Sequence, residues 1–291
     1  MAERAAPRRE QSAFLRRLAH WGAERGPERF VRLSPPAIGA LFGVALPDVR
    51  RRVIQNLRRI YGVRSAWREQ LDAVSTLASY ASCFTEAMAS GRPDVKPRVS
   101  VTGEERLREA VARGGVVLVT AHVGPWELTA QLLSRSVDAP AVIVMEREPN
   151  AAARELHDRI RGERGVRILH IGGHPTDALP LIAHLKQGGV AALQLDRVPP
   201  SGRTLPVSLF GQEFAAPEGP FRLASLSGAA VVPVFARRRG FFDYEVSVCP
   251  ALYLARRAGA SELEAAAQSA ISAMEAFVTE SPTQWFHFSG P

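Results

Sequence analysis

Val116-Val-Leu-Val-Thr-Ala-His122-Val-Gly-Pro-Trp-Glu127-Leu128 is the stretch on which the fold turns. Val116 to Thr120 is apolar and β-branched without polar alternation, the pattern of a strand covered on both faces. Gly124-Pro125 then turns the chain, and Pro125 suits the first position of a helix. A strand, a short turn and a helix start make the opening of an α/β unit.

Working outward, the same kind of run recurs at Ala141–Met145, Val166–Leu169, Val190–Leu195 and Ala230–Phe235, with helix-length segments between. Phe242–Val248 alternates and reads as an edge strand, and Ser261–Glu280 as a closing helix with Ser261 as N-cap and Glu264 in capping-box position. The expectation is α/β: a three-layer sandwich around a mostly parallel central sheet, preceded by an N-terminal helical extension. Residues 10–90 carry helical periodicity, first in Gln11–Glu24, where Phe14, Leu15, Leu18 and Trp21 share a face. Pro35-Pro36 is expected to open a short apolar helix, Ala37–Leu46, too short to span a bilayer. Asp48 is placed to cap the next helix, whose Val53, Ile54, Leu57 and Ile60 stripe is flanked by arginines, and a longer one covers Ser65–Ala89. The chain divides on this reading into a helical, Arg-rich region, residues 1–95, and an α/β domain, residues 96–291.

Composition narrows the function. The 291 residues are 46% hydrophobic and carry a net charge of +8, an excess that invites a nucleic-acid or anionic-membrane reading. The placement of the charge decides between them: residues 1–70 hold 15 arginines, no lysine and six acids, which leaves the rest of the chain near neutral. Aromatic residues suited to stacking on bases are few among those arginines, so the basic quarter points to an anionic membrane surface and not to nucleic acid. No signal peptide is evident. Cys83 and Cys249 lack metal-binding spacing and read as free thiols. His170 and His174 have i, i+4 spacing, but the two intervening glycines oppose a helix and no third ligand stands out, so no metal site is expected.

His122 closes a strand, where open α/β sheets place their ligands. Glu127 lies in the following helical turn, from which its carboxylate either folds back to orient His122 as a general base or stays solvated. Asp196 ends the Val190–Leu195 strand and faces the same crevice; with Arg197 it either shapes an acceptor site or forms a structural pair. Arg147 follows another strand end, placed for a phosphate or for a surface ion pair, and Asn150 for ligand contact or for capping a helix from Ala151. A long loop with Phe210-Gly211, Glu213 and Gly219 precedes the next helix; Glu213 either approaches His122 or the acceptor, or stays solvated. Arg237-Arg238-Arg239 reads as a docking patch for an acidic carrier protein or lipid headgroups, or as a solvated run.

Several blocks in register resemble the bacterial lipid A biosynthesis late acyltransferases, within the lysophospholipid acyltransferase superfamily. They are Ala121-His-Val-Gly-Pro-Trp-Glu-Leu128, Val49–Gly62, Glu146-Arg-Glu-Pro-Asn150, Leu195-Asp-Arg197 with Phe210–Glu213 and Pro217–Pro220, Ala230–Phe235, and Pro282–Phe288. The resemblance implies transfer of a fatty acyl group from an acyl carrier protein or acyl-CoA thioester to a hydroxyl of a lipid or glycolipid. His122 is then the general base and Glu127 its orienting partner. Arg147, Asn150, Asp196, Arg197, Glu213 and Gly219 contact substrate, backbone N–H groups or Arg147 stabilise the oxyanion, and no cofactor or metal takes part. The site is expected at the cytoplasmic face of the bacterial inner membrane, held there peripherally. Two alternatives remain on sequence alone: ester or thioester hydrolysis by the same dyad, and a non-catalytic protein binding anionic membranes or nucleic acid. Family members typically begin with a transmembrane helix, which this chain lacks.

Overall fold

The structure is a computed structural model that describes residues 20–128, 139–146, 167–171, 175–199 and 202–288. Seven strands form one sheet in the order β1 (Arg98–Thr102), β9 (Asp243–Val248), β8 (Ala230–Gly240), β2 (Val116–Thr120), β5 (Val190–Gln194), β3 (Ala141–Glu146), β4 (Arg167–Ile171). From β8 to β4 all pairings are parallel, while β9 returns antiparallel beside β8 and β1 lies parallel to β9. The expected mostly parallel sheet is therefore present. The Phe242–Val248 run is not an edge, since β9 pairs on both sides and β1 takes the edge.

Two faces of the sheet are covered. Val117 and Val119 of β2, with Ala191, Leu193 and Val231, pack under α5 (Leu179–Lys186), α6 (Gly219–Ser227) and α7 (Ala260–Glu280). Val116 and Leu118 point the other way, towards Leu107 and Ala110 of α4 (Glu104–Arg113). That double burial is why the parallel strands read as continuous apolar runs. Residue 259, not Ser261, is the N-cap of α7, which has no side-chain cap; Glu262 instead accepts a hydrogen bond from the Ala255 amide at 2.6 Å.

The stretch expected as a long loop is a hairpin, β6 (Thr204–Leu209) and β7 (Gln212–Pro217). Phe210 and Gly211 both have positive φ, 53° and 70°, as a two-residue hairpin turn requires. Leu205, Val207 and Leu209 face the core in alternation, a signal that Pro206 obscures in the sequence because proline argues against a paired strand.

Ahead of the sheet stand α1 (Glu28–Ala45), α2 (Pro47–Tyr61) and α3 (Ala66–Ala89). The helix runs straight through Pro35-Pro36 instead of starting there, and the Ser34 hydroxyl donates to the Phe30 carbonyl at 2.7 Å. Packing against α3 outweighs the missing proline N–H groups: Val31, Pro35, Gly39 and Gly43 form the buried face, and a Cβ at Gly39 would overlap the Leu77 carbonyl oxygen. Asp48 is not an N-cap; it lies in the first turn of α2, behind Pro47, and pairs with Arg51. At the far end of α3, Glu86 is 1% exposed and accepts hydrogen bonds from Arg238 Nε and the Tyr244 hydroxyl, each at 2.7 Å. Burial pushes the Glu86 carboxyl up while the Arg238 charge pulls it back, and the cluster ties α3 to the β8–β9 pair.

Candidate active site

The site begins with register. β2 and β5 are neighbours with Thr120 opposite Gln194, so two residues further on, past both strand ends, His122 and Asp196 come side by side. His122 Nδ1 lies 2.8 Å from Asp196 Oδ1, and the His122 backbone N–H donates to Oδ2 at 3.0 Å. Both residues are buried, His122 at 7% exposure and Asp196 at 1%. Burial alone pushes the Asp196 carboxyl up; the His122 charge and hydrogen bonds outweigh it and hold the group well below the usual carboxylate range. Asp196 is thus an ionised acceptor for a hydrogen bond from His122 Nδ1–H, and in the uncharged tautomer of imidazole that arrangement leaves the lone pair on Nε2.

The carboxylate observed on Nδ1 is that of Asp196, 74 residues along the chain, a partner for His122 that the sequence reading did not assign. Glu127 is half-buried in the helical turn that opens at Trp126, behind Gly124, whose φ is 52° and where a Cβ would overlap the Ala236 carbonyl oxygen. Asp196 does not pair with Arg197, which is exposed and reaches the Phe286 carbonyl at 3.4 Å.

The remaining candidates divide. Glu213 is exposed on β7 opposite Ser208, away from the dyad's hydrogen bonds, and Gly219 is the exposed first residue of α6. Arg147, Asn150 and His174 lie outside the described residues, so the expectations about them stay as they were. Among the described residues no group of three potential ligands is arranged to hold a metal. The arginine run at the end of β8 is paired: Arg237 with Glu245 at 2.6 Å and with Glu280, Arg238 with Glu86, and Arg239 with Glu245 at 2.9 Å. Cys83 is buried, Cys249 half-buried, and burial pushes both thiols up, away from nucleophilic use.

The backbone of the His122 loop is largely committed. The amides of His122, Val123, Gly124 and Trp126 donate to Asp196 Oδ2 and to the carbonyls of Ala121, Gln284 and Gly124. Those four amides are therefore not offered to an oxyanion in this geometry.

The C-terminal segment supplies what sequence reasoning underrated. Phe286 N donates to the His122 carbonyl at 2.7 Å, Gly124 N to the Gln284 carbonyl at 2.9 Å, and Val123 bridges Trp285 as a short strand pair. His287 is buried; burial pushes its imidazole below the ordinary value, so it stays neutral near pH 7. Trp126, half-buried, packs on His122 with ring centroids 5.3 Å apart and stacks on Tyr80 of α3.

A phosphatidylinositol mannoside acyltransferase of Mycolicibacterium smegmatis is 28% identical over 221 residues, 71% of this chain and 71% of that protein. A solved 1-acyl-sn-glycerophosphate acyltransferase of Thermotoga maritima aligns with a TM-score of 0.40 at 13% identity, over 84% of this chain and 97% of that one. The family model described as bacterial lipid A biosynthesis acyltransferase matches residues 6–289, nearly end to end. The chain belongs to the bacterial lipid A biosynthesis acyltransferase family.

Proposed function

We propose that this acyltransferase moves a fatty acyl group from a thioester of acyl carrier protein or coenzyme A to a hydroxyl of a glycolipid. The observation that carries the reading is the buried His122–Asp196 pair at the C-terminal ends of β2 and β5. His122 Nε2 accepts the acceptor's hydroxyl proton as its oxygen attacks the thioester carbonyl; the C–S bond breaks, and the departing thiolate takes that proton from the imidazolium, which restores the base. Asp196 fixes the tautomer and balances the imidazolium. Glu127, in the helical turn after the strand end, is the second carboxylate to test, and Arg147 is the candidate oxyanion or phosphate contact. No metal or redox step is needed for this chemistry. The relative named for phosphatidylinositol mannoside favours a glycolipid acceptor.

The second part of the proposal concerns place: a peripheral position at the cytoplasmic face of the inner membrane. No single described helix is long and apolar enough to cross a bilayer, although α1 and α2, bent by 99°, pass that test as a pair. α1 inverts the pattern of a soluble surface helix. Its inner face is made of Val31, Pro35, Gly39 and Gly43, while Phe30, Leu33, Leu41, Phe42 and Val44 are each more than half exposed. Arg25, just ahead of α1, and Arg29, Arg51 and Arg52 on these helices are exposed, the pairing of apolar insertion with basic flanks that suits an anionic leaflet.

Acyl transfer from labelled acyl carrier protein and acyl-CoA thioesters into a bacterial lipid extract, followed by mass spectrometry, tests the reading. A new acylated glycolipid that disappears with His122→Ala supports it. Full transfer by His122→Ala sinks the general base, and release of free fatty acid without a lipid product replaces the transferase with a hydrolase.

A further inference from the structure

Asp196 is gripped from a third direction. The indole N–H of Trp285 donates to Asp196 Oδ2 at 3.1 Å, beside the His122 backbone N–H on the same oxygen. Trp285 is 3% exposed, and indole has a single donor, which here is spent on the carboxylate. The ring has little freedom to leave. Its backbone bridges Val123, its flanking residues bond the Gly124 amide and the His122 carbonyl, and it lies between Phe210 and a stacked His287 at 5.9 and 5.2 Å. His287 is held in turn, its Nδ1 3.2 Å from Asn56 Nδ2 of α2, and its ring hydrogen-bonds to the Asp196 backbone.

A carboxylate can rotate about its terminal torsion, which is soft and roughly two-fold. Two donors on Oδ2 fix that rotation and leave Oδ1 for His122 Nδ1. A donor on an anion also draws charge from it, so the indole lowers the basicity that Asp196 confers on His122. We infer that Trp285 is a positioning residue for the dyad, acting through the hydrogen bond from its indole nitrogen to Asp196. The inference rests on the general-base reading of His122. It separates sharply from a packing role, in which a ring of equal shape without the N–H would serve as well.

The experiment replaces Trp285 by 3-benzothienylalanine, introduced at that codon in the full chain, which keeps the bicyclic shape and removes the donor. Trp285→Phe is the genetic companion, and thermal melts of both report folding. Loss of a hydrogen bond to an ionised group predicts a kcat lower by about tenfold, with KM little changed. The acid limb of the pH–rate profile should move up by about half a unit, because the less solvated carboxylate holds the imidazolium more firmly. A benzothienyl variant with normal kcat and an unmoved limb overturns the inference. So does a variant that loses activity together with stability while the limb stays in place, since that is packing alone. His122→Ala runs in parallel: if it retains transfer, the base reading and this inference fall together. If it is inactive while the benzothienyl variant behaves as wild type, only the role of Trp285 falls.

Discussion

Asp196→Asn is the substitution whose outcome the geometry fixes most tightly. Asn is isosteric, so the packing around this buried position is preserved, but its two terminal atoms are no longer equivalent. Oδ2 receives donors from the His122 amide and the Trp285 indole at 3.0 and 3.1 Å. Only an oxygen can satisfy both, so the amide must turn its NH2 towards His122 Nδ1, 2.8 Å from the present Oδ1. An NH2 facing Nδ1–H is a donor against a donor, and the ring relieves it by moving its proton to Nε2. The base then carries the proton it should be accepting. Inverting a base tautomer in the serine-protease triad costs about 10^4 in kcat, and a loss of about 10^3 to 10^4 is expected here, or roughly 4–5.5 kcal/mol of barrier. The assay is initial-rate acyl transfer into lipid extract over a range of thioester concentrations, beside a thermal melt. KM should stay within a few-fold and the melt near wild type. A kcat within tenfold of wild type would refute the tautomer reasoning, and a larger loss in Glu127→Gln than in Asp196→Asn would return the orienting role to Glu127.

Three further outcomes are expected. Gly39→Leu should destabilise the protein by about 1–3 kcal/mol or more, read by urea denaturation, because its side chain must push α1 off the Leu77 carbonyl; an unchanged midpoint counts against the close helix contact. Burial holds the folded-state pKa of His287 below its unfolded value, so its contribution to stability is present above about pH 6.5 and lost as pH falls through the folded value. His287→Gln should flatten that part of the pH–stability curve, measured as the difference between the two proteins, and an identical pH dependence would show that the imidazole titrates normally. Neutralising Arg25, Arg29 and Arg52 together should weaken sedimentation with anionic vesicles by about a hundredfold, at about 1 kcal/mol for each charge, and leave zwitterionic vesicles alone. Unaltered binding to anionic vesicles removes the electrostatic part of the membrane proposal.

His122 was legible in the sequence because its signal is local: a doubly buried strand, a Gly-Pro turn and a helix start within a dozen residues. Its partner was not. Asp196 was recognisable as a strand-end acid, but only the adjacency of β2 and β5 in the sheet order brings it to Nδ1, and hydrophobic periodicity carries no information about strand order. Glu127, five residues from His122, is the nearest carboxylate by spacing, and spacing along the chain carries no information about a group on a neighbouring strand. The hairpin of β6 and β7 was missed because Pro206 sits in it, although Leu205, Val207 and Leu209 alternate cleanly. The role of Trp285 is not legible, since an aromatic in an apolar segment carries no sequence mark of where its N–H will point.

The strand pair between Val123 and Trp285 has a consequence for how the enzyme is made. A nascent chain on the ribosome can complete β2, β5 and β8 in turn, yet the His122 loop keeps two open backbone positions until residues 284–286 emerge. Synthesis at about 5–20 residues per second leaves the earlier sheet waiting through the whole of α7 before the loop is closed.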